Sequence, residues 1–187
     1  MKIVTTNIGN RVTTTWKGKE VTTGIFKEPI EEAIFLDTED VKGDTICNRE
    51  KHGGIDQAVY AFSFKHYSYW KDLYPSLEWK AGGMFGENLT IDDLDETIIR
   101  VGDTFKVGEE VIIEATKARP PCLKLAIKFN DTAILKQFWN TSMCGIYFKI
   151  IKTGYVKAGD TLLQIKQCPE NKTIAEAYTE KRISNGL

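Results

Sequence analysis

The sequence predicts one mainly β domain, a barrel decorated by a few helices. Three observations lead there. Short β-branched runs recur along the whole chain between turn residues, few segments have helical periodicity, and no linker or low-complexity stretch divides the 187 residues. Composition agrees: 42% hydrophobic and 27% charged residues is the make-up of an ordinary globular protein and argues against intrinsic disorder.

Residues 2–8 and 11–16 read as strands, Lys17-Gly18-Lys19 as a turn, and 21–26 as the returning hairpin partner. Residues 32–36 are a further strand candidate, and the short apolar run 58–62 has the pattern of a buried one. Segments 88–91, 97–101, 104–107, 111–116, 145–151 and 161–165 complete the set. Gly-Asp-Thr occurs three times, at Gly43-Asp44-Thr45, Gly102-Asp103-Thr104 and Gly159-Asp160-Thr161. Gly supplies positive φ and Asp can accept from a nearby backbone N–H, so tight turns are expected there.

Four helices are expected. Ser63 caps the first, which ends before Pro75 and carries Phe64, Tyr67, Trp70 and Tyr74 as a core-facing stripe. The second starts around Pro120-Pro121 and runs to Phe129. Asp131 or Thr132 caps the third, with Ile134, Leu135, Phe138 and Trp139 on one side. Residues 173–182 form a polar amphipathic tail.

Charge narrows the function classes. Lys plus Arg is 25 and Asp plus Glu is 26, so the basic excess of a protein that coats nucleic acid or an anionic membrane is absent. No apolar run approaches the roughly 20 residues of a membrane span, and the first residues lack the apolar core of a secretory signal. Cys47, Cys122, Cys144 and Cys168 are widely spaced, without a Cys-x-x-Cys pair, which argues against a structural zinc site. A cytoplasmic protein with reduced thiols is the expectation, with neither nucleic acid nor membrane as partner.

Three clusters could carry chemistry. In Asn48-Arg49-Glu50-Lys51-His52-Gly53-Gly54-Ile55-Asp56-Gln57, two glycines can offer N–H groups to an anion beside cationic Arg49, Lys51 and His52, and the segment can equally be a polar turn into a strand. Gly82-Gly83-Met84-Phe85-Gly86-Glu87-Asn88 reads as a flexible connection, on which Phe85 could cover a planar ligand. In Arg119-Pro120-Pro121-Cys122-Leu123-Lys124, Cys122 falls at a helix start, where backbone N–H groups and Arg119 favour a thiolate, a nucleophile or soft-metal ligand. Cys122, Leu125, Ala126 and Phe129 also have core spacing, so an inert buried thiol fits as well, and the same wheel turns Lys124 away from Cys122. His66 and the other three cysteines read as structural. Gly-x-Gly-x-x-Gly, Walker, His-Glu-x-x-His and Gly-x-Ser-x-Gly motifs are missing.

Taken in order, the clusters resemble the MOSC domain family (the molybdenum cofactor sulfurase C-terminal domain), nearest its stand-alone bacterial YiiM-like branch. The stretches that carry the likeness are Lys51-His52-Gly53-Gly54-Ile55-Asp56-Gln57-Ala58-Val59, Phe85-Gly86-Glu87-Asn88-Leu89-Thr90, Val101-Gly102-Asp103, Arg119-Pro120-Pro121-Cys122-Leu123-Lys124 and Gly145-Ile146-Tyr147, with a helix bearing Tyr67 and Trp70 after the first. The resemblance implies a MOSC-type β-barrel related to the pyruvate kinase barrel domain over residues 1–167, with 168–187 as a short C-terminal helical tail. It also implies a molybdenum cofactor (molybdopterin) with Cys122 as the protein ligand to the metal. The same likeness points to an oxidoreductase that reduces N-hydroxylated compounds, such as hydroxylated purine bases, to amines.

The residues expected at the cofactor are Arg49, Lys51, His52, Gly53, Gly54, Phe85, Gly86, Glu87, Asn88, Arg119 and Lys124, with Cys122, His52 and Asp56 as the catalytic set. A thiolate suits the metal, and glycine N–H groups with Arg49, Lys51 or Arg119 suit the cofactor phosphate. His52, Asp56 and Glu87 are the candidates for proton delivery. Without a nucleotide-binding unit, electrons are expected from a separate flavin- or heme-containing reductase, and a homodimer is left open. One departure stands out: chains of that branch usually carry a further helical segment, where this sequence has one helix's worth of residues. A carrier or sulfur-relay module using Cys122 without turnover, and a metal-free thiol enzyme using Cys122 with His52 as base, are the alternatives.

Overall fold

The computed structural model describes residues 1–49 and 52–186. Its strands are β1 (Ile3–Gly9), β2 (Val12–Trp16), β3 (Lys19–Thr23), β4 (Lys27–Ile30), β5 (Ile34–Leu36), β6 (Val59–Ser63), β7 (Leu89–Ile91), β8 (Thr104–Val107), β9 (Val111–Ala118), β10 (Ile146–Lys152), β11 (Gly154–Val156) and β12 (Leu162–Lys166). The helices are α1 (His66–Leu73), α2 (Leu123–Phe129), α3 (Ala133–Trp139) and α4 (Ile174–Ser184), with a 3-10 turn at Ile55–Gln57. Among the described residues no helix is long and apolar enough to cross a membrane.

One eight-stranded sheet runs β12-β8-β9-β10-β6-β7-β1-β4. Its pairs are antiparallel except β6 with β7. A parallel pair cannot be joined by a tight turn, so the chain leaves β6, forms α1 and crosses back to β7 through the glycine-rich segment. The sheet curls until its ends meet: Ile3 donates to the Asp160 carbonyl at 2.9 Å, Gly159 to that of Ile3 at 2.8 Å and Leu162 to that of Met1 at 2.8 Å. The ring is strapped by these bonds rather than closed by a full ladder. β4 continues along β1 beyond the strap, while β2–β3 and β5–β11 are separate two-stranded sheets.

Alternation explains the barrel interior. Along β9, Val111, Ile113, Ala115 and Ala118 are buried and the residues between them are partly exposed. β6 is buried at every position, as its uninterrupted apolar run requires of a central strand. A second layer of core is aromatic: Phe62 and Phe85 stack with centroids 4.1 Å apart, and Trp70 stacks on Phe138 at 5.7 Å.

The three Gly-Asp-Thr turns share one device. Gly43, Gly102 and Gly159 have φ of 84°, 90° and 90°. Each following aspartate accepts backbone N–H groups: Asp44 from Gly9, Asp103 from Arg100 and Cys168, Asp160 from Lys157. At α4, Thr173 and Glu176 exchange bonds as a capping box.

Several local expectations are corrected. Segment 97–101 is a series of turns, because the Asp95 carboxylate takes both the N–H and hydroxyl of Thr97 at 2.8 and 2.6 Å and leaves Ile98 exposed. Ser63 ends β6 and accepts the Leu94 N–H instead of capping α1. Helix α1 starts two residues later than the stripe assumed, so Phe64 is exposed while Tyr67 and Trp70 are buried. β4 and β11 were not expected.

Candidate active site around Cys122

Strand β9 ends at Ala118, and Arg119-Pro120-Pro121 carries the chain to Cys122, the N-cap of α2, in extended conformation. Neither proline can donate to the sheet ladder, so the strand stops there and the helix starts after it. Cys122 therefore precedes the helix instead of sitting in its first turn. The wheel that separated it from Lys124 does not apply outside a helix, and both residues line one cavity. Leu125, Ala126 and Phe129 are core residues as their spacing requires, while Cys122 is half-buried at the cavity wall.

The cavity holds about 700 Å³, including the part open to solvent. Four segments build it: the end of β3 with Thr23, Gly24 and Ile25; the run from Asp44 to Asn48; His52 to Tyr60; and Arg119 to Lys124, with Lys27, Gly86, Asn88 and Tyr147 between them. Burial pushes the Cys122 thiol up. A hydrogen bond with His52, the Arg119 and His52 charges and the Lys124 amide outweigh burial and bring it down to about 6.

Arg119 is buried, donates to the Phe85 carbonyl and lies 4.6 Å from the centre of the Tyr60 ring. Burial works against its charge, but Tyr60, Tyr147 and Cys122 raise its pKa above the ordinary arginine value. Burial in turn pushes both tyrosine hydroxyls up, against the pull of Arg119. The Tyr60 hydroxyl donates to the Cys144 carbonyl at 2.9 Å. The Lys124 side chain makes no hydrogen bond or ion pair among the described residues, and it lines the cavity.

A second group also lines the cavity. Lys27 and Asp44 make a buried ion pair, and Asp44 also accepts from the Asn88 amide at 2.9 Å and the Gly9 N–H at 2.8 Å. Burial lowers the Lys27 pKa, and Asp44 opposes that. Lys27, Asp44, Tyr60 and Tyr147 went unnoticed in the sequence as site residues. Asp44 sits in the first Gly-Asp-Thr turn, and Tyr147 follows the Gly145-Ile146 pair, so both had a local signal. Cys47 also lines the cavity.

His52, Gly53, Gly86, Asn88, Arg119, Cys122 and Lys124 thus come together. Arg49, Gly54, Asp56, Phe85 and Glu87 do not line the cavity. Arg49 is exposed and pairs with Asp40. Gly54 donates to the Glu39 carbonyl at 3.1 Å. Asp56 is exposed on the 3-10 turn, where its carbonyl accepts the Thr116 hydroxyl at 2.7 Å. Glu87 is fully buried behind the wall. Phe85 does not ride a mobile loop: it is 0% exposed, because Phe62, Tyr67, Trp70 and Phe129 surround its ring. Lys51 lies outside the described residues. His66 is bonded to Glu96 at 2.9 Å, away from the cavity.

Residues 48–163, which contain the Cys122 wall, the His52 loop and the Arg119 strand end, match the family model for the MOSC domain. The chain belongs to the MOSC domain family. The MOSC relatives include the uncharacterized protein YflK of Bacillus subtilis, 33% identical over 160 residues that span 86% of this chain and 71% of that one. A reductase of Gibberella moniliformis is 31% identical over 78% of this chain, a match that spans 26% of that protein. The crystal structure of YiiM from Geobacillus stearothermophilus superposes with a TM-score of 0.79 at 26% identity, covering 100% of this chain and 86% of that one. The MOSC fold expected from the motifs is therefore the fold observed.

Proposed function

We propose that this MOSC protein is an oxidoreductase that holds a molybdenum cofactor through Cys122 and reduces N-hydroxylated compounds, such as hydroxylated purine bases, to amines. The observation that carries the reading is the Cys122 thiol, held at about 6 by His52 and Arg119 in the wall of the main cavity. Membership of the MOSC family and the likeness to a named reductase support it.

The residues fit such a group. A thiolate is the protein donor that a soft metal with its own sulfur ligands needs. Among the described residues no three His, Cys, Asp or Glu side chains gather into a metal cage. Arg119 and Lys124 supply positive charge for the cofactor phosphate, and the Tyr60 and Tyr147 rings give the pocket a flat, apolar side. When bound, the cofactor supplies the two-electron chemistry.

The chain's own residues do the rest. Cys122 fixes one end of the bound group, and Arg119 favours the sulfur as thiolate. His52, which lines the cavity together with that sulfur, is the proton carrier within reach of a substrate. The overall change, R–NH–OH to R–NH2 and water, consumes two electrons and two protons, and a separate flavin- or heme-containing reductase is the proposed electron source. Asp56 and Glu87 do not reach the cavity and take no part in this proton path.

The test is direct. Chain purified from a host that makes the cofactor is assayed for molybdenum and pterin, then given an N-hydroxylated purine with a chemical reductant. Bound metal and amine formation, both lost in Cys122→Ser with the fold retained, are expected. Turnover by metal-free chain would overturn the reading, and bound metal without turnover would point to a carrier instead.

A further inference from the structure

We propose that Glu87, which does not line the cavity, is the positioning residue that holds Arg119 in it. The consequence for cofactor retention rests on the functional reading above, but the positioning itself does not.

Glu87 is 0% exposed. Its Oε1 accepts from the Tyr67 hydroxyl, from the Gly83 N–H at 2.8 Å and from the Thr90 hydroxyl at 2.9 Å. Its Oε2 accepts from the Phe85 N–H at 2.9 Å. Four donors thus reach the carboxylate, three of them on Oε1, and its full burial keeps it from a ligand in the cavity. What it does serve is the backbone of residues 83–85. The carbonyls of those residues point to cations on the other side: Gly83 accepts from the Lys128 ammonium, and Phe85 accepts from the Arg119 guanidinium. An anion on one side and two cations on the other thus orient one short stretch of peptide.

That stretch has little freedom to rearrange. Gly83 has φ 75°, and a Cβ there would meet the Lys27 carbonyl oxygen at 2.6 Å. The Phe85 ring is fixed by its stack on Phe62. Arg119's other neighbours, Tyr60 and Tyr147, act on it through ring and charge: it lies 4.6 Å from the centre of the Tyr60 ring, whose hydroxyl is committed to the Cys144 carbonyl. The Phe85 carbonyl is the rigid acceptor that sets where the guanidinium sits. The asymmetry between the two carboxylate oxygens makes the role separable. A glutamine at 87 can keep its oxygen toward Tyr67, Gly83 and Thr90, which leaves its NH2 facing the Phe85 N–H, donor against donor. Thr90→Val removes one bond to Oε1 and leaves the Phe85 tie intact.

The experiment compares Glu87→Gln and Thr90→Val with the parent chain. The Arg119 guanidinium N–H signals are followed by nitrogen-15 NMR and identified by their loss in Arg119→Lys. In parallel, molybdenum and pterin per folded chain are measured after dialysis. The expected result is that Glu87→Gln shifts or broadens the Arg119 signals and lowers retention by about tenfold, the factor a charge-assisted hydrogen bond is worth. Thr90→Val should leave the signals in place and retention within about twofold of the parent. Glu87→Asp, which keeps the charge and withdraws the carboxylate by one methylene, is the second variant and should move the same signals. Unmoved Arg119 signals in Glu87→Gln and Glu87→Asp would overturn the proposal, as would equal effects of Glu87→Gln and Thr90→Val. Moved signals in a parent chain that binds no molybdenum would leave the positioning role standing and remove the cofactor reading instead.

Discussion

Cys122 and His52 line one cavity, although one precedes α2 and the other lies in the loop that enters β6. With the thiol at about 6, peptide-resolved alkylation of Cys122 in metal-free chain should rise with a midpoint near that pH, not near the ordinary thiol value of about 8.5. His52→Ala should move the midpoint upward. The sign for stability follows. A thiol more acidic in the folded chain stabilises it fully above the unfolded value and loses that contribution as pH falls through about 6. The stability gap between the parent chain and Cys122→Ser should therefore narrow between pH 9 and 5.

Phe85 behaves as core. Phe85→Ala should cost about 3–5 kcal/mol in urea unfolding, the range for deleting a buried aromatic. A ring that merely covered a ligand would lose affinity and leave the midpoint unchanged.

The Lys27–Asp44 pair is buried on both sides, and Asp44 also ties β1 and Asn88 to the cavity wall. Asp44→Ala strands the ammonium and two N–H donors, so a loss of about 3–5 kcal/mol is expected. Thermal unfolding with a shift no larger than that of an exposed-site variant would contradict this.

Arg49 and Asp56 offer the opposite case. Arg49→Ala breaks an exposed pair and Asp56→Asn alters an exposed carboxylate, so each should change stability by less than about 0.5 kcal/mol. Molybdenum content should match the parent chain. A lower content in either variant would bring that residue back to the cofactor.

Legibility in the sequence tracked how local each signal was. β9 was legible as a β-branched run and β6 as an unbroken apolar one. β4 did not: four residues with Lys27, Glu28 and Pro29 carry no strand pattern, and only the ladder along β1 makes them one. Segment 97–101 had strand-forming residues, and one Asp95 side chain turned it aside. At the site, the proline pair before Cys122 and the glycines after His52 were readable because they act through their own backbone. The wall contributed by Ile25, Lys27, Asp44 and Tyr147 was not, since it exists only once distant segments meet. Phe85 was read as ligand-covering from its glycine neighbours and Glu87 as a cofactor residue from the family likeness, but the aromatic core claims Phe85, and backbone N–H groups and hydroxyls claim Glu87.

The strap between the first residues and the segment before β12 bears on biogenesis. Met1 and Ile3 find their partners at Gly159, Asp160 and Leu162, so during synthesis β1 waits for those sequence-distant residues to emerge. Through that interval the edge of β1 facing the strap is unsatisfied, an invitation to pairing with another nascent chain. Such sequence-distant closure also predicts slow folding for a chain of this length. A circular permutant that starts in the exposed Lys17-Gly18 turn would bring the two partners close in sequence, and it should refold faster with the same final stability.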